Sequence, residues 1–182
     1  MHAMIDIETL GLFVDSVIVE IGAVTFEQPY APGGVRIDGC RILSRLSLGV
    51  SVADNLAKGR HIDPNTVLWW MKTDAGRLQS FFEPGRLSLA EAFDELIAEV
   101  ADAKTVWANG INFDLSVLQH ALPWGRVLPW KYNAVRDYRT VRKLLGGDVE
   151  EPENPNPHFA GADAEHQARH LCAILKRRGI TL

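Results

Sequence analysis

Apolar and polar positions along this chain follow two regimes. The first 50 or so residues read as strands. Met4-Ile5-Asp6-Ile7-Glu8 sits inside a first strand expected from about His2 to Glu8, with apolar residues flanking and separating two acids. Thr9-Leu10-Gly11 turns the chain, and Val17 to Phe26 is β-branched and apolar, the best strand signal present. Pro29 to Gly34 is expected to be a turn or loop, and Cys40 to Leu48 a third strand. Three consecutive strands with short links predict an antiparallel meander.

The pattern then changes. Asp63-Pro64 starts a helix, Asp as cap and Pro at the first helical position, and that helix carries Val67, Leu68, Trp69, Trp70 and Met71. Ser88 to Glu91 is a capping box ahead of a stripe of Leu89, Phe93, Leu96, Ile97 and Val100. Thr105 to Ala108 reads as a short strand, 113–122 as a helix, Tyr132 to Val135 as a last strand and Thr140 to Leu145 as a helix. Gly146 to Pro157, rich in Gly, Pro, Asn and acid, is expected to be an exposed, mobile loop. The final helix is placed from about Gly161 to Arg178, with Ala164, Ala168, Leu171, Cys172 and Leu175 on one side. Strands first, then alternating helices and strands, predict an α/β domain spanning 1–182, a mixed five-stranded sheet with helices on its faces.

Composition narrows the function classes. A chain of 182 residues with 47% hydrophobic and 23% charged residues has material for one full core. A net charge of −4 argues against a protein that coats nucleic acid, though not against an enzyme gripping a few terminal nucleotides. Cys40 and Cys172 match no metal-ligand spacing, which favours a reduced, cytoplasmic setting. No signal peptide or membrane span is expected.

The chemistry gathers in four acids. Asp6 and Glu8 point to one face of their strand, roughly 6.6 Å apart along it. Burying two like charges together is costly unless a positive charge sits between them. Asp114, in Asn109-Gly110-Ile111-Asn112-Phe113-Asp114, aligns with Val117, Leu118 and Ala121 on the inward face of its helix, where the helix dipole tolerates a carboxylate. Alone it reads as a capping Asp. Asp163 opens the last helix among Ala160, Gly161, Ala162 and Ala164, small residues that suit either packing on the sheet or close approach of a substrate. Four carboxylates with few soft ligands nearby make an oxygen site for hard cations, Mg²⁺ or Mn²⁺. Two such ions, roughly 3.5–4 Å apart, hold the attacking and leaving oxygens of a phosphodiester displacement. His158 suits the general base, histidine being the side chain whose charge change falls nearest neutral pH.

Asp6-x-Glu8, Asn109-x₃-Phe113-Asp114 and His158-x-Ala160-x₂-Asp163-Ala164, in that order, resemble the three exonuclease motifs of the DnaQ-like superfamily, DEDDh class. Asp63-Pro64…Trp69-Trp70 after the third strand is similar to the branch holding the phage DexA exonuclease and a mycobacterial exoribonuclease. The resemblance implies a ribonuclease H-like fold and 3′-5′ release of nucleoside 5′-monophosphates from single-stranded DNA or RNA ends. It also implies two divalent ions held by Asp6, Glu8, Asp114 and Asp163, with His158 as base, and it suggests a homodimer. The sister class places Tyr where this chain has Phe159, which carries no base, so His158 is the choice. The acidic, Pro-rich loop before His158 departs from the pattern and is expected to hinder long or structured substrates.

Further residues are weighed against simpler roles. Trp69 or Trp70 either packs in the core or stacks on a base. Thr9, Leu10 and Gly11 form a plain turn or bring backbone N–H groups to the terminal nucleotide, beside Asn109 and Phe113 from the second motif. Arg136, Arg139, Arg142 and Lys143 read first as a solvated helix face and second as phosphate contacts. His166 and His170 have a zinc-like spacing, but Gln167 stands where a zinc motif has Glu, so zinc is set aside. The reading rivalling an enzyme is a catalytically silent ribonuclease H-like module that binds nucleic acid.

Overall fold

A computed structural model describes residues 1–28 and 39–182; the turn expected at Pro29 to Gly34 lies outside them. Its five strands form one mixed sheet in the order β3-β2-β1-β4-β5. β1 (His2–Thr9), β2 (Ile18–Glu27) and β3 (Arg41–Gly49) are the antiparallel meander. β4 (Val106–Ala108) runs parallel to β1 and pairs in parallel with β5 (Val135–Asp137). The α/β architecture is that of the ribonuclease H-like fold.

β1 lies at the centre because it is apolar on both faces up to the point where the acids begin. Successive side chains alternate across a strand. Ala3, Ile5 and Ile7 point to one face and pack with Val106, Ala108, α4 (Leu89–Val100) and α5 (Asp114–Ala121). Met4 points to the other, beneath α6 (Tyr138–Leu145) and α7 (Ala160–Arg177). Asp6 and Glu8 continue the Met4 face and so meet the start of α7. A third cluster around Leu10, Val17, Trp70 and Phe81 closes the end of the sheet against α2 (Pro64–Thr73).

The cap signals act as expected. Asp63 accepts the Asn65 N–H at 2.8 Å ahead of Pro64, and Ser88 and Glu91 complete the reciprocal capping box. Two helices were not expected, α1 (Val52–Ala57) and α3 (Ala75–Ser80). Each has six residues, too few for a periodic stripe. Asn55 of α1 pairs its amide with the Ile18 backbone, both bonds at 3.0 Å, and Asp74 caps α3 through the Arg77 N–H at 2.8 Å.

The last strand falls later than expected. Residues 132–134 form a 3₁₀ turn, and pairing with β4 begins only at Val135, opposite Val106. Asp137 then ends the strand and caps α6, accepting the Thr140 N–H at 2.6 Å. The 146–157 segment has no regular structure, yet it is tied down. Pro152 O accepts from His166 Nε2 at 2.7 Å, and Glu151 pairs with Arg142 at 3.1 Å. Among the described residues no helix is long and apolar enough to cross a membrane.

α7 approaches the sheet most closely at Gly22, directly opposite Asp6 in the β1–β2 ladder. A Cβ there would lie 2.1 Å from the Ala160 carbonyl carbon. Gly161 is pressed in turn against Ser47, 3.0 Å from where its own Cβ would be. The small residues at the start of α7 therefore serve packing on the sheet. Gly22→Ala is expected to cost about 1–3 kcal/mol in denaturant unfolding, since backbone must move to admit the methyl group. Unchanged stability would contradict this close approach.

Candidate active site

The three acidic motifs converge because each ends an element at the same edge of the sheet. Asp6 and Glu8 stand near the C-terminal end of β1. Asp114 opens α5, and its carboxylate accepts backbone N–H bonds from Ile7 and from its own amide. The loop before it is held by Asp137, which accepts the Ile111 N–H at 3.0 Å. Asp163 lies in the first turn of α7; its Oδ2 accepts the His158 N–H at 2.9 Å and its Oδ1 the Asn154 amide at 2.5 Å.

Asp6, Glu8, Asp114, His158 and Asp163 line one cavity of about 390 Å³. One ligand atom each from Glu8, His158 and Asp163 lies within 4.8 Å of the others. Asp6 accepts the Gln167 amide N–H at 2.8 Å, one turn along α7 from Asp163. Tyr138 donates to or accepts from His170 Nδ1 at 2.8 Å below the cavity, and Gln167 Oε1 and His170 Nε2 are buried without a protein partner.

Electrostatics set the character of this cavity. Burial holds the Asp6 carboxyl well above the usual range, reinforced by Asp114 and Glu8 and opposed by the Gln167 amide. Burial, then Asp163 and Glu20, push Glu8 up to about 8, while Arg77 pulls it down. Burial raises Asp114 to about 6 against its backbone hydrogen bonds. Asp163 is raised by burial despite the bonds from His158 and Asn154. Burial is the common cause, with repulsion from neighbouring site acids added at Asp6 and Glu8, and a divalent cation is a group that favours the charged forms against both. An all-carboxylate donor set with an adjacent imidazole fits Mg²⁺ or Mn²⁺.

The tentative substrate contacts divide. Asn109 and Phe113 line the acidic cavity, and Thr9, Trp69 and Phe113 line an apolar pocket of about 420 Å³ that shares Glu8 with it. Trp69 is 45% exposed there. Trp70 is 1% exposed, edge-on to Phe81, with its indole N–H donated to Thr9 O at 3.1 Å. It is a core residue with no face free for a base. Leu10 cannot offer a backbone N–H to a nucleotide, because that group is bonded to Val17 O at 2.9 Å. Gly11 is needed for close packing, since a Cβ would fall 2.4 Å from Ser16 Oγ. Arg139 and Arg142 reach the cavity rim, bonded to Asn109 O at 2.6 Å and to Glu151. Arg136 instead bonds the backbone of its own turn.

Sequence reasoning missed three residues beside the cavity. Leu12 lines the Trp69 pocket at 71% exposure, and an exposed leucine right after the first motif was the signal. Asn154 and Gln167 bond the acids directly, but an Asn in a Pro-rich loop and a Gln on a helix announce nothing in sequence.

Comparison with known proteins gives the family and the fold. A family model described as the 3′-5′ exoribonuclease Rv2179c-like domain matches residues 1–175. Among solved structures, Exonuclease X in complex with 5′ overhanging duplex DNA is similar in fold, with a TM-score of 0.58 and 21% identity over 100% of this chain and 95% of that one. No curated protein matches the chain.

Two outcomes are expected. Glu8 and Asp114 carry carboxyl groups raised from 4.5 to about 8 and from 3.8 to about 6. Between the unfolded and folded values the folded state holds the extra protons, so stability falls as pH rises. EDTA-treated protein should lose melting temperature from about pH 4.5 to 8, and saturating Mn²⁺ should flatten that loss; a metal-insensitive profile would contradict the shared-cation site. Trp70→Ala should cost about 3–5 kcal/mol, as for a buried aromatic, and Trp69→Ala little. Equal losses in urea unfolding would refute the division between them.

Proposed function

The chain belongs to the Rv2179c-like 3′-5′ exoribonuclease domain family and is a 3′-5′ exonuclease; from that premise we propose a DEDDh-type hydrolysis of single-stranded 3′ ends, RNA first, by residues 1–182 acting as one domain. The observation that carries the proposal is the gathering of four acids from three elements around one cavity, with His158 beside two of them.

In this reading Asp6, Glu8, Asp114 and Asp163 hold two Mg²⁺ or Mn²⁺ ions, which supply positive charge to the scissile phosphodiester when bound. His158 accepts a proton from the attacking water through the ring nitrogen that faces Glu8 and Asp163. The water oxygen bonds to phosphorus as the bond to the neighbouring nucleotide's 3′ oxygen breaks, and a nucleoside 5′-monophosphate departs. The backbone N–H of His158, bonded to Asp163, couples the base to a metal-holding acid. Phe113 and Trp69 bound the adjoining apolar pocket, which suits the terminal base. Arg139 and Arg142 stand where the next phosphates would pass. The pinned 146–157 segment roofs one side of the cavity, which favours a thin single strand over a duplex.

A 5′-labelled single-stranded RNA incubated with enzyme and Mn²⁺ should shorten as a ladder from its 3′ end, and EDTA should stop it. Asp163→Asn should remove turnover while the protein still melts cooperatively, and His158→Ala should slow it about 100-fold or more. Oligonucleotide binding without mononucleotide release would instead mark a silent binding module. Faster release from matched DNA would overturn the RNA preference.

A further inference from the structure

Glu20 stands directly opposite Glu8 in the β1–β2 ladder. Like charges facing each other across a pair of strands repel, and Glu20 is buried. Its carboxylate turns away from the cavity to Arg77 of α3, and the two side chains keep only 7% and 11% of their surface. Arg77 donates to Glu20 Oε2. Ser47 Oγ donates to Glu20 Oε1 at 2.8 Å, and the Ala160 N–H donates to Oε2 at 3.3 Å.

This ion pair holds three successive residues. Arg77 Nε donates to His158 O at 3.3 Å, and its guanidinium lies 3.8 Å over the Phe159 ring. Glu20 takes the N–H of Ala160. His158 needs such holding: its φ of 64° is the one positive value at a non-glycine residue among those described. A left-handed conformation at a residue with a side chain is strained and persists only where its surroundings over-determine it. Trp69 and Trp70 meet the imidazole in T-shaped contacts, with ring centroids 5.2 and 5.9 Å away.

We infer that Arg77 and Glu20 are positioning residues that clamp His158 in its left-handed conformation against Glu8 and Asp163. The inference rests on the reading of His158 as the base. Compared with apolar residues of similar volume, a buried ion pair adds little net stability. Its distinguishing feature is therefore its grip on residues 158–160. Arg77 also brings a positive charge near Glu8, offsetting the repulsion from Glu20. By this route the short helix α3, which contributes no acid to the cavity, sets the direction of the imidazole.

A double-mutant cycle tests the clamp. Single-turnover and steady-state rates on a single-stranded RNA end at saturating Mn²⁺ are compared for wild type, Arg77→Met, Arg77→Lys, His158→Ala and the His158→Ala/Arg77→Met double variant, with melting curves alongside. Arg77→Met should lower kcat about tenfold or more, as small misplacements of a catalytic group do, with KM within about twofold. Arg77→Lys should recover part of the loss. In the His158→Ala background, Arg77→Met should add less than about a twofold further loss. An equal loss in both backgrounds, or full kcat in Arg77→Met, overturns the clamp. Should Arg77→Met fail to fold, Glu20→Gln, which keeps shape and acceptor but not charge, takes its place with the same expectations. Full activity in His158→Ala overturns the base reading itself, an outcome distinct from failure of the clamp.

Discussion

Carboxylates that share a buried cavity repel one another, and every other feature of this protein can be read as a response to that cost. Asp6 and Glu8 sit two residues apart on one face of the central strand, and Asp114 and Asp163 are delivered beside them from two helices. Burial raises the proton affinity of all four, and neighbouring acids raise it further at Asp6, Glu8 and Asp114. Protein groups offset part of it: the Gln167 and Asn154 amides, the N–H groups of Ile7 and His158, and the guanidinium of Arg77. With Arg139 near Asp114, these dipoles and cations leave the oxygens suited to hard divalent ions.

The fold makes this convergence cheap in backbone terms. Strand alternation places the acids on the α7 side while Ile5 and Ile7 anchor β1 into the opposite core. Glycine at position 22 lets α7 come close enough for Gln167 to reach Asp6. The loop after the parallel neighbour β4 carries Asn109 to Asp114 to the cavity, and Asp137, the last residue of β5, holds that loop by accepting the Ile111 N–H. Sites at the carboxyl ends of strands are the general outcome of such sheets.

How much of this was legible in sequence depended on how local its cause was. Strands β1 to β3, the capped helices α2 and α4, and the long α7 carry their own periodicity and caps, and these were readable. Asp6 and Glu8 stand out as charges within an apolar strand, whereas Asp114 and Asp163 alone read as helix-start acids and gain meaning only from the motif order they share with the first pair. α1 and α3 were not readable, because six residues hold no periodic signal and the tertiary bonds of Asn55 to Ile18 and of Arg77 to Glu20 hold them. The difference between Trp69 and Trp70 was invisible for a similar reason: adjacent helix positions look alike until the Thr9 carbonyl claims one indole. Glu20 looked like one acid in an apolar strand, and its meaning depends on Arg77, 57 residues away. The loop before His158, expected to be free, is pinned by partners on α6 and α7 that composition does not predict.

Asp6, Glu8, Asp114 and Asp163 line one cavity in which divalent cations would sit. The most direct measurement is anomalous diffraction at the manganese edge from crystals of the protein grown with Mn²⁺ and a nucleoside 5′-monophosphate. Two anomalous peaks bounded by those four carboxylates, with His158 facing them, are predicted. Crystals that diffract well and show no anomalous peak among the four acids would contradict it.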